Sequence, residues 1–263
     1  MTGKGLPVGA VGTARYRYGV PATLGAQPST RRKSDMVESG GGPVKRDKSG
    51  KVTLTKSAPN VSLDKPRSGG ELTVNLNWNA RGAQDAADGK GKRGLFAKLQ
   101  AALQPEPGID LDLGCLWEFT DGSKGVVQAL GNSFEARDSS GRPVLQLDGD
   151  DRSGAAVGGE NLRIDLGRID SLKRVLVFAM IYEGAPNWEA ARAAVTLVAP
   201  GQAPIEVLLD EADPKARVCG VALIENTARG LSVRREVRYV KGAQRALDQA
   251  YGWGMNWTPG RKS

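Results

Sequence analysis

Residues 109–119 of the 263-residue chain read Ile-Asp-Leu-Asp-Leu-Gly-Cys-Leu-Trp-Glu-Phe. Apolar side chains occupy every second position from Ile109 to Trp117, and Asp110 and Asp112 stand between them. Because successive side chains of a β-strand point to opposite faces, this alternation predicts a strand with one face in the core. The same spacing places the two carboxylates side by side on the outer face.

Similar signals continue along the chain from residue 71. Leu72, Val74 and Leu76 alternate with polar residues, whereas residues 174–182 are apolar without alternation, as in a strand buried on both faces. Further strands are predicted at 126–130, 144–147, 161–166, 193–199, 205–209, 218–225 and 231–240. Many short strands separated by turn signals predict an all-β fold, an antiparallel β-sandwich. Residues 94–103 and 242–251 predict two short peripheral helices, the second with an apolar stripe of Ala243, Leu247 and Ala250.

Residues 1–68 differ from the rest in composition and charge. They contain 13 Lys and Arg but only 4 Asp and Glu, a net charge of +9, whereas the whole chain carries +8. Their few apolar residues show no sustained period, so they predict a disordered basic N-terminal segment, with a short strand at 51–54 leading into a folded domain at 69–263. The basic charge therefore does not indicate a nucleic-acid-binding domain.

The composition excludes several classes of protein. The chain has no histidine, which excludes Ser-His-Asp and Cys-His catalysis and argues against a zinc enzyme site. Its two cysteines, Cys115 and Cys219, lie in apolar runs and are interpreted as small buried hydrophobic residues. No apolar stretch reaches the roughly 18 residues of a membrane span. The N-terminus has no apolar run of signal-peptide length, so a cytoplasmic protein is predicted.

Residues 148–165 combine clustered acids with glycines. Asp148, Asp150 and Asp151 lie within four positions, and Glu160 follows Gly158 and Gly159 before the next strand. Two carboxylates about 4 Å apart repel each other by roughly 4 kcal/mol at an effective dielectric constant near 20. A loop that brings them together needs a cation, a proton or an arginine. Hard oxygen ligands on a flexible loop suit Ca²⁺, and a solvated acidic turn is the alternative that the residues leave open.

The order of these features resembles the TerD-domain family of bacterial tellurium-resistance and stress proteins. The resemblance covers about residues 70–257 and rests on Asp110-Leu-Asp112, the loop at 149–154, Glu160 before an Ile-Asp-Leu strand, and Ile-Tyr-Glu at 181–183. The phrases at 181–188 and 252–257 resemble the TerA-type branch. The family implies a β-sandwich, Ca²⁺ binding by acidic loops and a non-enzymatic role in tellurite, phage and general stress resistance. It also implies protein partners from the same resistance cluster, some at the cytoplasmic membrane.

The resemblance also implies a set of metal ligands. Asp110 and Asp112 match the family's Asp-Leu-Asp strand, and Asp150 and Asp151 match its Gly-Asp-Asn loop, with Asp151 where Asn is usual. Glu160 matches the end of an Asp-Asp-Glu triplet. The predicted ligands are thus Asp110, Asp112, Asp150, Asp151 and Glu160, with Asp148, Ser153 and Glu183 as further candidates near the site.

The family pattern is broken at Gly158 and Gly159, which stand where its triplet has two acids. One or two Ca²⁺ ions are therefore expected, and this departure weighs against the second. Two other hypotheses stay open. Asp110 or Asp112 with Glu160 would supply the carboxylate pair, about 5–9 Å apart, that a glycoside hydrolase uses. The basic segment, with its Ala-Arg-Tyr-Arg-Tyr run at 14–18, would tether the protein to nucleic acid or an anionic membrane.

Overall fold

The computed structural model describes residues 50–64, 69–78, 109–149 and 158–257, all within one unit of the chain, Ser39–Ser263. The strands are β1 Val52–Thr53, β2 Asn60–Asp64, β3 Glu71–Asn77, β4 Asp110–Phe119, β5 Lys124–Val127, β6 Glu135–Arg137, β7 Pro143–Leu147, β8 Glu160–Asp165, β9 Leu172–Glu183, β10 Ala193–Val198, β11 Ile205–Leu209, β12 Val218–Thr227 and β13 Gly230–Val240. The helices are a 3₁₀ turn at Leu166–Ser171, α1 Trp188–Ala191 and α2 Gln244–Tyr251.

In this part of the chain the strands form two sheets that pack face to face. The first sheet has the order β1-β11-β10-β3-β8-β7-β6, and the second has the order β2-β13-β12-β9-β4-β5. Every pairing is antiparallel except that of β1 with β11. Inward side chains of both sheets, such as Leu72 and Leu162 from the first and Leu111 and Val177 from the second, share one apolar core. The predicted antiparallel β-sandwich is confirmed.

Strand β4 lies inside the second sheet, between β9 and β5, and is buried on both faces. Leu111, Leu113 and Cys115 face the core between the sheets, as predicted. The expectation of a solvent-facing outer side is wrong, because Asp110 and Asp112 are only 2% and 3% exposed. Leu116, on that outer side, belongs to a second apolar cluster, which the sequence of β4 alone did not reveal.

Helix α2 and the residues after it cover the second cluster. Leu247 and Trp253 pack there against side chains of β4, β9 and β12. The predicted stripe of α2 is partly wrong, since Ala243 is exposed and Asp248 is buried instead. The carboxylate of Asp248 accepts hydrogen bonds from the backbone amides of Gly254 and Met255 and from the indole of Trp257. The aromatic C-terminal stretch therefore packs on the sandwich.

The predicted domain boundary at residue 68 needs correction. Strand β1 pairs with β11, strand β2 pairs with β13, and Val52, Leu54 and Leu63 are buried in the core. Because these strands are short, their alternation of apolar and polar residues covers only a few positions. Their pairing partners lie far away in the sequence, so the pairing gives no local signal. The sandwich thus includes residues 52–64. The rest of the segment predicted to be disordered, residues 1–49 and 65–68, lies outside the described residues, as does the helix predicted at 94–103.

No helix among the described residues is long and apolar enough to cross a membrane.

Candidate metal-binding site

The first two predicted ligands lie at the beginning of β4. Asp110 is paired in register with Glu183, and Asp112 with Met180, both on β9. Both aspartates are almost fully buried. Because the strand is hydrogen-bonded to β9, the backbone positions of the two residues are fixed by the fold. They do not depend on a bound ion.

The third predicted ligand comes from the other sheet. Glu160 is the first residue of β8, in the first sheet, and is 3% exposed. Its Oε2 accepts a hydrogen bond of 2.6 Å from the backbone amide of Leu113 on β4. Strand β5 pairs only with residues 115–118 of β4, so β5 does not reach this amide. The Glu160 side chain therefore reaches from the first sheet to the second, where it contacts the backbone directly after Asp112.

A tight turn delivers Glu160 to this position. Gly159 has a φ of +66°, and a Cβ there would collide with the carbonyl oxygen of Leu76. Gly158 differs, because no atom lies within 4 Å of the place where its Cβ would be. The side-chain amide of Asn75 donates hydrogen bonds to the carbonyl oxygen of Gly158 and, over 2.9 Å, to Oδ1 of Asn161. Sequence reasoning missed Asn75, because alternation places it on the outer face of β3 without indicating this distant contact.

Asp148 lies on the opposite side of β8 from the Glu160 side chain. Its carboxylate forms a 2.7 Å ion pair with Arg163, which points outward from the first sheet. The hydrogen bond from Arg163 to Asp148 raises the pKa of the Arg163 guanidinium. Asp148 is therefore engaged at the surface and does not join the buried carboxylates.

Glu183 ends β9 beside Asp110, but its side chain is exposed. The turn that follows is held by Arg217, whose guanidinium donates to the carbonyl oxygens of Ile181, Tyr182 and Ala185 over 2.9 to 3.1 Å. The backbone thus brings Glu183 to the acidic end of β4. Because its side chain is exposed, Glu183 lies at the rim of the candidate site.

Asp150, Asp151 and Ser153 lie outside the described residues and stay predicted ligands. Within the described ranges, no group of three or more His, Cys, Asp or Glu side chains is arranged to hold a metal ion. Asp110, Asp112 and Glu160 therefore do not form such a group by themselves. The donors that are present are hard carboxylate oxygens, the class that Ca²⁺ prefers.

Comparison with known proteins gives one close relative. The tellurium resistance protein TerA from Alcaligenes sp. is 41% identical over 212 residues, which is 81% of this chain and 58% of that protein. This similarity supports a TerD/TerA-like family of tellurium-resistance proteins. It spans a little more than half the length of that TerA relative. No protein-family model matches the chain.

Two solved structures are similar to this chain. One is a homologue of telluride resistance protein TerD from Streptomyces coelicolor A3(2), with 20% identity over 68% of this chain and 94% of that chain and a TM-score of 0.43. The other is a protein of unknown function, with 15% identity over 65% and 90% of the two chains and a TM-score of 0.41. Both scores are below 0.5, so the fold rests on the strand pairing of this chain.

Proposed function

We propose that this chain is a non-enzymatic Ca²⁺-binding module that acts in tellurite and general stress resistance through protein partners. The similarity to TerA supports the resistance role, since that relative carries the name of a resistance protein. The partners we propose are other proteins of the tellurium-resistance cluster, met in the cytoplasm or at the cytoplasmic face of the membrane.

The observation that carries the proposal is the contact that Glu160 of the first sheet makes with the backbone of β4, directly after the buried Asp112. Glu160 reaches the β4 amide that directly follows Asp112, and Asp110 lies two residues earlier on the same face. Taking a carboxylate out of water is costly unless it is hydrogen-bonded, paired or bound to a metal. A divalent cation would offset several buried negative charges at once.

The neighbouring loop supplies the remaining ligands in this proposal. Asp150 and Asp151 follow Gly149, and Gly158 and Gly159 close the loop before Glu160. Ca²⁺ takes six to eight oxygens in flexible geometry, whereas Mg²⁺ demands near-octahedral geometry and releases water reluctantly. A rigid strand pair combined with a glycine-hinged loop therefore favours Ca²⁺ over Mg²⁺.

Calorimetric titration of the full chain with Ca²⁺ tests the proposal. We expect a saturable binding heat for the wild type and, for Asp112→Asn, affinity weaker by on the order of tenfold or more, a loss of about 1.4 kcal/mol or above. Asp213→Asn is the control, since Asp213 caps a turn at the amide of Lys215 and Asn keeps that acceptor. Absence of binding heat in the wild type would reject the Ca²⁺ site.

The two other hypotheses stay predictions. The tether hypothesis depends on the basic N-terminal residues, of which 1–49 lie outside the described part of the chain. The hydrolase hypothesis would use the same buried acids. The name of the TerA relative describes resistance and no enzymatic activity.

A further inference from the structure

Asn75 lies in the middle of β3, half-buried on the outer face of the first sheet. In the register of β3 with β8, Asn75 is opposite Asn161 and Leu76 is opposite Glu160. Its Nδ2 donates to the carbonyl oxygen of Gly158, the residue that leads into β8, and to Oδ1 of Asn161. A side-chain amide has two N–H donors in one plane, so one Asn75 side chain serves both acceptors.

These two contacts lie on either side of Glu160 in the sequence. On the backbone side, Gly159 lies so close to the carbonyl oxygen of Leu76 that no side chain fits there. The turn at residues 158–161 is thus held between the β3 backbone and the Asn75 amide. Because side chains alternate along a strand, fixing Asn161 on the outer face directs the preceding Glu160 side chain inward, toward the amide of Leu113.

We propose that Asn75 is the positioning residue of the acidic site, which holds Glu160 against β4 from the opposite face of the first sheet. This inference deepens the proposed Ca²⁺ site and depends on it only for the effect on ion affinity. The effect on Glu160 itself needs no ion, because the hydrogen bond to Leu113 is made by the chain alone.

The test compares Asn75→Ala with Thr73→Ala in the full chain. Thr73 is the matched control, since it lies two residues earlier on the same face of β3, is also half-buried, and bonds to Glu71 rather than to the turn. Amide hydrogen exchange is measured by NMR in EDTA. The amide of Leu113 reports on the Glu160 contact, and the amide of Leu116, on the part of β4 paired with both β5 and β9, reports on the strand as a whole.

We expect Asn75→Ala to accelerate exchange at Leu113 roughly tenfold while Leu116 is unchanged, as local opening without global unfolding does. Thr73→Ala should leave both amides as in the wild type. An unchanged Leu113 in Asn75→Ala, or equal acceleration at Leu116, would overturn the positioning role.

Calcium titration of the same variants separates this inference from the proposed function. Asn75→Ala keeps every carboxylate, yet we expect its Ca²⁺ affinity to fall by on the order of tenfold, because Glu160 is no longer held in place. Wild-type affinity in Asn75→Ala, together with faster Leu113 exchange, would overturn the link to the ion. If the wild type binds no Ca²⁺, the proposed function fails, and exchange at Leu113 still decides the role of Asn75.

Discussion

Gly158 and Gly159 stand where the family resemblance predicts two acidic residues, but the backbone requires only one of these glycines. Gly159 is required by the backbone, because its φ is positive and Leu76 occupies the space of a side chain. Gly158 faces open space, so a side chain fits there without displacing any described atom. The glycine at 159 is therefore needed to form the turn, whereas the glycine at 158 is not.

A pair of substitutions tests this difference. Gly159→Asp should lower the free energy of unfolding by about 1–3 kcal/mol, the cost of holding a non-glycine residue in a strained conformation, or more because of the collision. Gly158→Asp should fold normally and tighten Ca²⁺ binding several-fold, because it adds a carboxylate two residues before Glu160. Urea unfolding and calorimetry measure the two effects, with Gly158→Asn as the uncharged control. Equal stability of Gly159→Asp and the wild type would refute the backbone explanation.

The thiols provide a second test at the residue scale. Cys115 and Cys219 are both fully buried and form no disulfide, as their apolar sequence context predicts. Burial raises the pKa of the Cys115 thiol to about 12 from an ordinary value of 9.0. Since the thiolate is the reactive form, both thiols should react very slowly with a thiol reagent at pH 8 in the native protein.

Labelling should become fast and complete in concentrated guanidinium chloride. The raised pKa also has a consequence for stability. The Cys115 contribution is fully present below pH 9 and is lost as the pH rises toward 12, because the unfolded thiol ionises first. Cys115→Ala should therefore lose less stability than the wild type between pH 8 and 10.5. Rapid labelling of native Cys115 would contradict its burial in the core.

Several elements were predictable because their signal is local. Strand β11 was predicted at the bounds observed, and the unbroken apolar run of β9 correctly indicated burial on both faces. The burial of the second face of β4 was not predictable from its own sequence, because α2 and Trp253 provide the cover from the distant C-terminal end. Strand β6 has three residues, too few to show a period.

The candidate site was predictable in part for the same reason. The alternation of β4 placed Asp110 and Asp112 on one face, and the glycines marked the turn before Glu160. Two features depend on contacts between residues far apart in sequence and left no local signal. These are the reach of Glu160 to Leu113 and the hold of Asn75 on Gly158.

The contribution of β1 and β2 to stability can be tested by truncation. A chain that begins at Gly50 should melt at the same temperature as the full chain, because β1 and β2 are kept and the removed residues have a composition typical of disorder. A chain that begins at Gly69 loses the buried side chains of Val52, Leu54 and Leu63. Burial of each such side chain contributes about 1.5–3 kcal/mol.

The shorter chain also uncovers the edges of β11 and β13, which β1 and β2 now cover. Uncovered strand edges pair with other chains, so it should melt at a markedly lower temperature and self-associate in size-exclusion chromatography. Identical melting and elution of the two truncated chains would mean that β1 and β2 are not part of the stable sandwich.

At the scale of the whole molecule, the candidate site lies where the two sheets meet. Asp110 and Asp112 belong to the second sheet, Glu160 belongs to the first, and their positions are set by strands on opposite sides of the core. An ion held by all three would therefore connect the sheets as well as neutralise their charge. Ca²⁺ binding is thus expected to stabilise the entire sandwich and not only the acidic loop.

Thermal melting of the full chain, in EDTA and in millimolar CaCl₂, tests this central claim most directly. Ca²⁺ bound only to the native state adds RT ln(1 + [L]/Kd), about 2.7 kcal/mol at a hundredfold excess over Kd. For a domain of this size that corresponds to a rise in Tm of roughly 5–10 °C. Glu160→Gln should abolish most of the rise, and MgCl₂ should produce a smaller one. Coincident curves in EDTA and CaCl₂ would contradict the account.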